Sequence, residues 1–269
     1  MRNIIKIKDL NLKYDNKKIF DKLNLDIREG EFIGILGLNG TGKSSLIKVL
    51  VGLIPYEWYI NINGYILSKE NYLSIRRFIS VLFDDTEAHF IGKNVKEDLA
   101  FNLENLEYSK EEINKEIKKI SSLFELDNLL DKTLLELTNS ERQKVAIASS
   151  IIHKPKVVVL DEALYELNYK DKKLVLDILL NLNKKENTTI ILITHNIEDV
   201  LLSKRIIVLN EEKIYLDFPK EKISEYEKEL ERLGIELPFI ISLSKDLILY
   251  DLIDKIYYNQ EDLVNKIWN

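Results

Sequence analysis

Three kinds of hydrophobic pattern divide the chain. In residues 3 to 31 apolar and polar positions alternate, in Ile5-Lys6-Ile7-Lys8, in Ile19-Phe20 and in Leu23-Asn24-Leu25-Asp26-Ile27, with breaks at Asp15-Asn16 and Arg28-Glu29-Gly30. Period-two alternation between turn residues predicts antiparallel strands with one buried face. Elsewhere the apolar runs are unbroken: Phe32-Ile33-Gly34-Ile35-Leu36, Val157-Val158-Val159-Leu160 and Ile190-Ile191-Leu192-Ile193. Such runs fit strands covered on both faces, as in a parallel sheet. A helix over residues 170 to 183 links the last two in a βαβ crossover. From residue 94 to about 153 the period is helical, with Val95, Leu99 and Leu103 on one face and Ile113, Ile117 and Ile120 on another.

Two further strands are expected around Tyr59 to Ile62 and Ile79 to Phe83, and a strand pair at Ile206 to Leu209 and Lys213 to Leu216. The tail then turns helical, with Pro219 and Pro238 each placed to start a helix. The pattern reads as an α/β core with an antiparallel β subdomain, a helical subdomain at about 84–153, and a small C-terminal helical extension at 218–269, the core unit covering 1–217.

The candidate chemistry sits between the first unbroken run and the helix that follows it. Gly37-Leu38-Asn39-Gly40-Thr41-Gly42-Lys43-Ser44 fits the phosphate-binding pattern G-x-x-x-x-G-K-[ST] in its required strand, loop, helix setting. Glycines let the backbone amides turn inward toward an anion, and the positive end of the helix adds to the attraction. Three of the chain's nine glycines lie in this one loop, so it is no by-product of a glycine-rich composition. Lys43 is expected to reach the β- and γ-phosphates and Ser44 to hold Mg²⁺. Two later strands end in chemistry of matching kind. Asp161 and Glu162 follow one, the first suited to the Mg²⁺ shell and the second to act as general base on water. Thr194 and His195 follow the other, with His195 placed to meet the γ-phosphate. Tyr14 ends an early strand and offers a ring for an adenine to stack on.

Composition changes this picture by exclusion. A net charge of −6 argues against a nucleic-acid surface, which normally carries a basic face. With no cysteine, disulfides, thiol nucleophiles and cysteine-ligated zinc are ruled out. No apolar run approaches the roughly 20 residues of a membrane-spanning helix, and Met1 to Lys6 lacks a signal-peptide core. A soluble, cytoplasmic chain is expected.

The order Tyr14, GLNGTGKS, helical insertion, a segment led by Leu137, VVVLDE and TH resembles the ATPases of ATP-binding-cassette (ABC) transporters over residues 3 to 217. Val81-Leu82-Phe83 with Asn94 to Phe101, and the tail Glu231 to Phe239, are similar to the narrower class of energy-coupling-factor importers for cobalt, nickel and vitamins. The resemblance implies a P-loop NTPase core and two cassettes closing head to tail, each ATP lying between one chain's phosphate loop and the other's signature segment. It implies ATP and Mg²⁺ as ligands. Tyr14, Asn39, Gly40, Thr41, Gly42, Lys43, Ser44 and Ser45 would bind nucleotide; Ser44, Asp161 and Asp84 would serve the metal; Glu162 would be the base and His195 the switch histidine. Implied partners are a second ABC ATPase, a transmembrane coupling subunit docking in a groove near Asp84 and the helical subdomain, and a membrane component that reads the solute. The location would be peripheral, on the cytoplasmic face of the membrane.

Three positions depart from the family. The signature L-S-G-G-Q is here Leu137-Thr138-Asn139-Ser140-Glu141, the D-loop aspartate is Asn168, and the Q-loop glutamine is Asp84, with Asp85 beside it. Loss of both glycines puts side chains where backbone must approach the neighbour's γ-phosphate, and Glu141 brings a carboxylate toward that anion. The features a chain gives its neighbour are eroded, while most of those serving its own nucleotide are kept. The expectation is a heterodimer with one hydrolytic and one degenerate site, set against a subunit that binds ATP without hydrolysing it.

Overall fold

The structure, a computed structural model, describes residues 2–14, 17–54, 57–84 and 90–268, with the side chains of Glu57 and Trp58 left aside. Asp15, Asn16 and Asp85, named above, lie outside the described residues. Strands β1 (Asn3–Tyr14) and β2 (Lys17–Arg28) lead to β3 (Phe32–Leu36), α1 (Lys43–Leu50), β4 (Glu57–Ile62), β5 (Tyr65–Ile66), α2 (Tyr72–Arg76) and β6 (Ile79–Leu82). The helical stretch holds α3 (Val95–Asn105), α4 (Lys110–Leu123) and α5 (Asn139–Ile151). Then follow β7 (Val157–Asp161), α6 (Tyr169–Glu186), β8 (Thr189–Thr194), α7 (Ile197–Val200), β9 (Arg205–Asn210) and β10 (Lys213–Pro219), and finally α8 (Glu227–Arg232), α9 (Phe239–Leu249) and α10 (Gln260–Trp268).

The antiparallel sheet runs β2-β1-β4-β5. Its first two strands are longer than the short alternating segments read from the sequence, twelve residues each. The ladder shifts register between Ile7 and Leu10, where Asp9 and Lys22 both take left-handed backbone, with φ 49° and 51°. Side-chain oxygens stand in for the lost ladder bonds: the Asp9 amide donates to Asn24 Oδ1 and the Lys22 amide to Asn11 Oδ1. These bulges break the two-residue alternation without ending the strands.

The second sheet runs β10-β9-β3-β8-β7-β6, parallel from β9 to β6. Alternate residues of its central strands enter different cores, which is why the sequence shows no alternation there. Ile33, Ile35, Val157, Val159, Ile191 and Ile193 pack against α1 and the antiparallel sheet. Phe32, Val158, Leu160, Ile190 and Leu192 pack under the helical stretch, with Leu99, Leu103, Ile113, Ile117 and Ile147. The phosphate-loop strand β3 lies between β8 and β9, and β8 in turn borders β7.

Each helix of the helical stretch starts on its own cap. Asn94 accepts from the Glu97 amide, and Ser109 and Thr138 each form a reciprocal capping box three residues ahead of a glutamate. The C-terminal extension is not a loose tail. Phe218, Ile223, Leu230, Ile235 and Ile241 share one core with Leu36, Ile206 and Val208. Pro219 precedes a 3-10 segment and Pro238 caps α9. Among the described residues no helix is long and apolar enough to cross a membrane.

Candidate functional site

The loop from Gly37 to Ser44 joins the buried end of β3 to α1, and its shape needs glycine at Gly37 and Gly42, with Gly40 also at positive φ, +84°. A Cβ on Gly37 would lie 2.6 Å from Thr41 Oγ1 and 2.9 Å from the Leu209 carbonyl oxygen. Gly42 has φ +99°, and a Cβ there would meet the Phe20 ring at 2.8 Å. Gly42 is also the N-cap of α1 and has no side chain to cap it. The amides of a first helical turn have no intrahelical acceptor, so this end offers donors to an anion. Thr41 closes the loop by donating to the Leu38 carbonyl at 2.9 Å. Asn39 and Ser44 are exposed and Ser45 half-buried beside them.

Lys43 is buried, and its Nζ donates to the carbonyls of Gly37 at 2.6 Å and Leu38 at 3.2 Å. It lies 3.7 Å from Glu162 Oε1. Ser44 Oγ donates to Asp161 Oδ2 at 2.9 Å, bringing the loop to the end of β7. Asp161 is 1% exposed, and among the described residues its Oδ1 has no hydrogen-bond partner. Burial pushes its carboxyl up to about 6, against the pull of the Ser44 hydroxyl; the charges of Glu162 and Asp84 add to the rise and Lys43 opposes it. A buried, under-satisfied acid of this kind fits a divalent cation, which would supply the missing positive charge. Asp84 itself is exposed beyond the end of β6, within electrostatic reach of Asp161.

Glu162 follows with left-handed backbone, φ 50°, its amide donating to the Ile193 carbonyl of β8 at 2.8 Å. That turn brings Glu162 Oε2 to 3.0 Å from His195 Nδ1 and 3.1 Å from Thr194 Oγ1. Lys43, Glu162 and His195, distant in sequence, therefore meet at the carboxyl ends of three neighbouring parallel strands, where open α/β sheets bind ligands. Tyr14 is 41% exposed at the end of β1. Its hairpin partner β2 carries Ile19 and Phe20, whose side chains face the loop at Gly42.

The signature segment and the D-loop are built differently. Thr138 Oγ1 donates to Glu141 Oε2 at 3.0 Å and accepts from the Glu141 amide. The Glu141 carboxylate also accepts from the Thr138 amide at 2.8 Å, and that bond holds its pKa below the usual carboxylate value. It is thus turned back on its own helix end, whereas the sequence pointed it at a neighbour's anion. Ser140 is buried; its hydroxyl donates to Asp171 Oδ2 at 2.6 Å and accepts from the Asn168 amide and Nδ2 at 3.1 and 3.0 Å. Asn139 is exposed and accepts from Arg142 at 3.0 Å.

Sequence reasoning missed Asp171 and Lys144, which form a buried ion pair at 2.9 Å beneath this segment. The spacing held a hint, because Ser140 and Lys144 share one face of α5 and Asn168 and Asp171 stand as cap and third residue of α6. What the sequence does not say is that the two helix ends meet.

Residues 20–165 match the ABC transporter family. The energy-coupling factor transporter ATP-binding protein EcfA of Pediococcus pentosaceus is 32% identical over 252 residues, covering 92% of this chain and 90% of that relative. EcfA1 of Bacillus subtilis is 33% identical over 270 residues, covering 98% and 96%. Among solved structures, cbiO1 from Clostridium perfringens, described as part of the ABC transporter complex cbiONQ, superposes with a TM-score of 0.77 at 25% identity over 91% of this chain and 100% of its own. The ATP-binding cassette MJ0796, solved with ADP and Pi, shares the fold at TM-score 0.73 and 24% identity. The chain belongs to the ATP-binding-cassette family, among the ATPase subunits of energy-coupling factor transporters.

Proposed function

We propose that this ATPase works as one half of a heterodimer, hydrolysing ATP at its own phosphate loop and borrowing the signature segment of a second cassette. The observation that carries the reading is a contrast in hydrogen bonding. Lys43, Ser44, Asp161, Glu162 and His195 converge on one spot. The hydroxyls of Thr138 and Ser140 each give their single hydrogen to a carboxylate of this chain, leaving none for a phosphate. A neighbouring cassette that relied on this signature would find its two hydroxyl hydrogens already committed.

In the proposed reaction the loop amides and Lys43 hold the β- and γ-phosphates, Tyr14 stacks on the adenine, and Asn39, Gly40, Thr41 and Ser45 line the phosphate path. Mg²⁺ would be held by Ser44 and Asp161, with Asp84 nearby, and would neutralise charge developing on the phosphates. Glu162 polarises the attacking water. His195, bonded to the same carboxylate, keeps it aimed and faces the γ-phosphate. ATP favours the closed pair because closure adds the second chain's contacts to the same nucleotide, and the differential affinity drives the motion.

The closure would be passed to a transmembrane coupling subunit. A groove of about 780 Å³ between α2, β6, α3 and α5 supports this, lined by Leu73, Arg76, Arg77, Phe101, Ser149 and His153. Leu73 at its edge is 78% exposed. A separate membrane component would read the solute, and the chain would sit on the cytoplasmic face of the membrane. The test is Glu162→Gln in the assembled pair. Retained ATP binding with turnover lost is the expected result, and near-normal turnover would mean that this chain binds ATP without hydrolysing it.

A further inference from the structure

The carboxylate of Asp171 takes part in no step described above, yet three groups, two from α5 and one from the cap of α6, converge on it. Its Oδ2 accepts from Ser140 Oγ at 2.6 Å and Asn168 Nδ2 at 2.7 Å, and its Oδ1 pairs with Lys144 Nζ at 2.9 Å. Its own amide donates to Asn168 Oδ1 at 3.0 Å. Ser140, Lys144 and Asp171 are all at least nine-tenths buried. The count closes with nothing over: the Ser140 hydroxyl gives its one hydrogen and uses both lone pairs, and both Nδ2 hydrogens of Asn168 are taken. Deeper in, Gln143 of α5 donates to the Ala163 carbonyl at 2.8 Å, tying the same helix to the start of the loop after Glu162.

We propose that Asp171 is a positioning residue that locks the signature segment and the D-loop into one rigid face toward the neighbouring nucleotide. The proposal rests on the head-to-tail reading for what that face meets. On this account Ser140 and Asn168 are two parts of one device. A glycine in place of Ser140 could not bridge to α6. An aspartate in place of Asn168 would set a second carboxylate where Nδ2 now lies 2.7 Å from Asp171, turning a donor into a like charge. The two departures from the family pattern therefore depend on each other and on Asp171. A face held this way offers the neighbour's nucleotide a fixed surface that closes on it without supplying hydroxyl donors.

The test is a charge exchange. Asn168→Asp, Asp171→Asn and the double variant Asn168→Asp/Asp171→Asn are compared with the parent chain, first alone by amide hydrogen exchange. Asn168→Asp should speed exchange at residues 138–142 and 167–169 together by about tenfold. The double variant should restore protection at both, with ATP affinity and the melting temperature near the parent's. In the complex with the second ATPase, Asn168→Asp should weaken nucleotide binding at the neighbour's phosphate loop by about tenfold while turnover at this chain's own site changes less than about twofold, and the double variant should recover that affinity. Loosening of only one segment, or a double variant as impaired as the single, would overturn the lock. A lock confirmed in the isolated chain with no change in nucleotide affinity at the neighbour's phosphate loop would overturn its role toward the neighbour. Turnover surviving Glu162→Gln counts against the catalytic reading and leaves the exchange result standing.

Discussion

The phosphate loop and the signature segment with its D-loop are built on opposite principles. At the phosphate loop, polar groups are left under-satisfied: Asp161 Oδ1 has no partner among the described residues and the cap of α1 has no side chain. At the signature and D-loop, the hydroxyls of Thr138 and Ser140 give their hydrogens to carboxylates within the chain, and Ser140 uses both lone pairs as well. Incomplete satisfaction is a cost to the fold that a ligand relieves, and complete satisfaction leaves a ligand little to gain. At the phosphate loop the hydrogen-bond deficit at Asp161 and the motif mark the same place.

The strongest way to break this contrast is at the base. Glu162→Gln should lower turnover by about 10² to 10⁴-fold with ATP binding kept, as steady-state kinetics and nucleotide titration would report. A next, smaller effect concerns stability. Asp161 is neutral in the fold up to about pH 6, whereas an unfolded aspartate ionises near 3.8. The fold therefore loses stability as pH rises through that window, by up to about 3 kcal/mol. Asp161→Asn removes the charge, so it should melt above the parent at pH 8 in the absence of Mg²⁺ and nucleotide. The gap should close near pH 3.5, and equal melting at both values would show that burial of this charge costs nothing. Tyr14→Ala should weaken ATP binding about three- to tenfold through loss of a stacked ring. Equal affinity for adenosine and guanosine triphosphates with an unchanged constant would remove Tyr14 from the site. The smallest effect is expected on the other side of the contrast. Asn139→Gly, at an exposed side chain that touches Arg142, should change saturated turnover by less than about twofold. A large loss would mean that this signature serves a hydrolytic site after all.

Much of this was legible in the sequence because periodicity reports burial. The unbroken runs at β3, β7 and β8 marked strands covered on both faces, and the phosphate-loop spacing marked the ligand end. The first hairpin was read as shorter pieces because Asp9 and Lys22 break the alternation with left-handed turns that no local rule foretells. The charge of Glu141 is visible in the sequence, but the capping box that holds its carboxylate against Thr138 is a second use of the same residue that the sequence reading left unstated. The junction of Ser140, Lys144, Asn168 and Asp171 was out of reach, since it depends on how α5 and α6 are packed by the core beneath them.

Glu162 carries a further consequence. Its backbone is left-handed, a conformation that costs a residue with a Cβ roughly 1 kcal/mol and a glycine almost nothing. Drift judged by folding alone would favour replacing it. A lineage that no longer needed to split ATP would be expected to lose this glutamate early, to a glycine or an asparagine. Under the proposed role as base, its presence at a conformationally unfavourable position is a cost to the fold that the reaction requires.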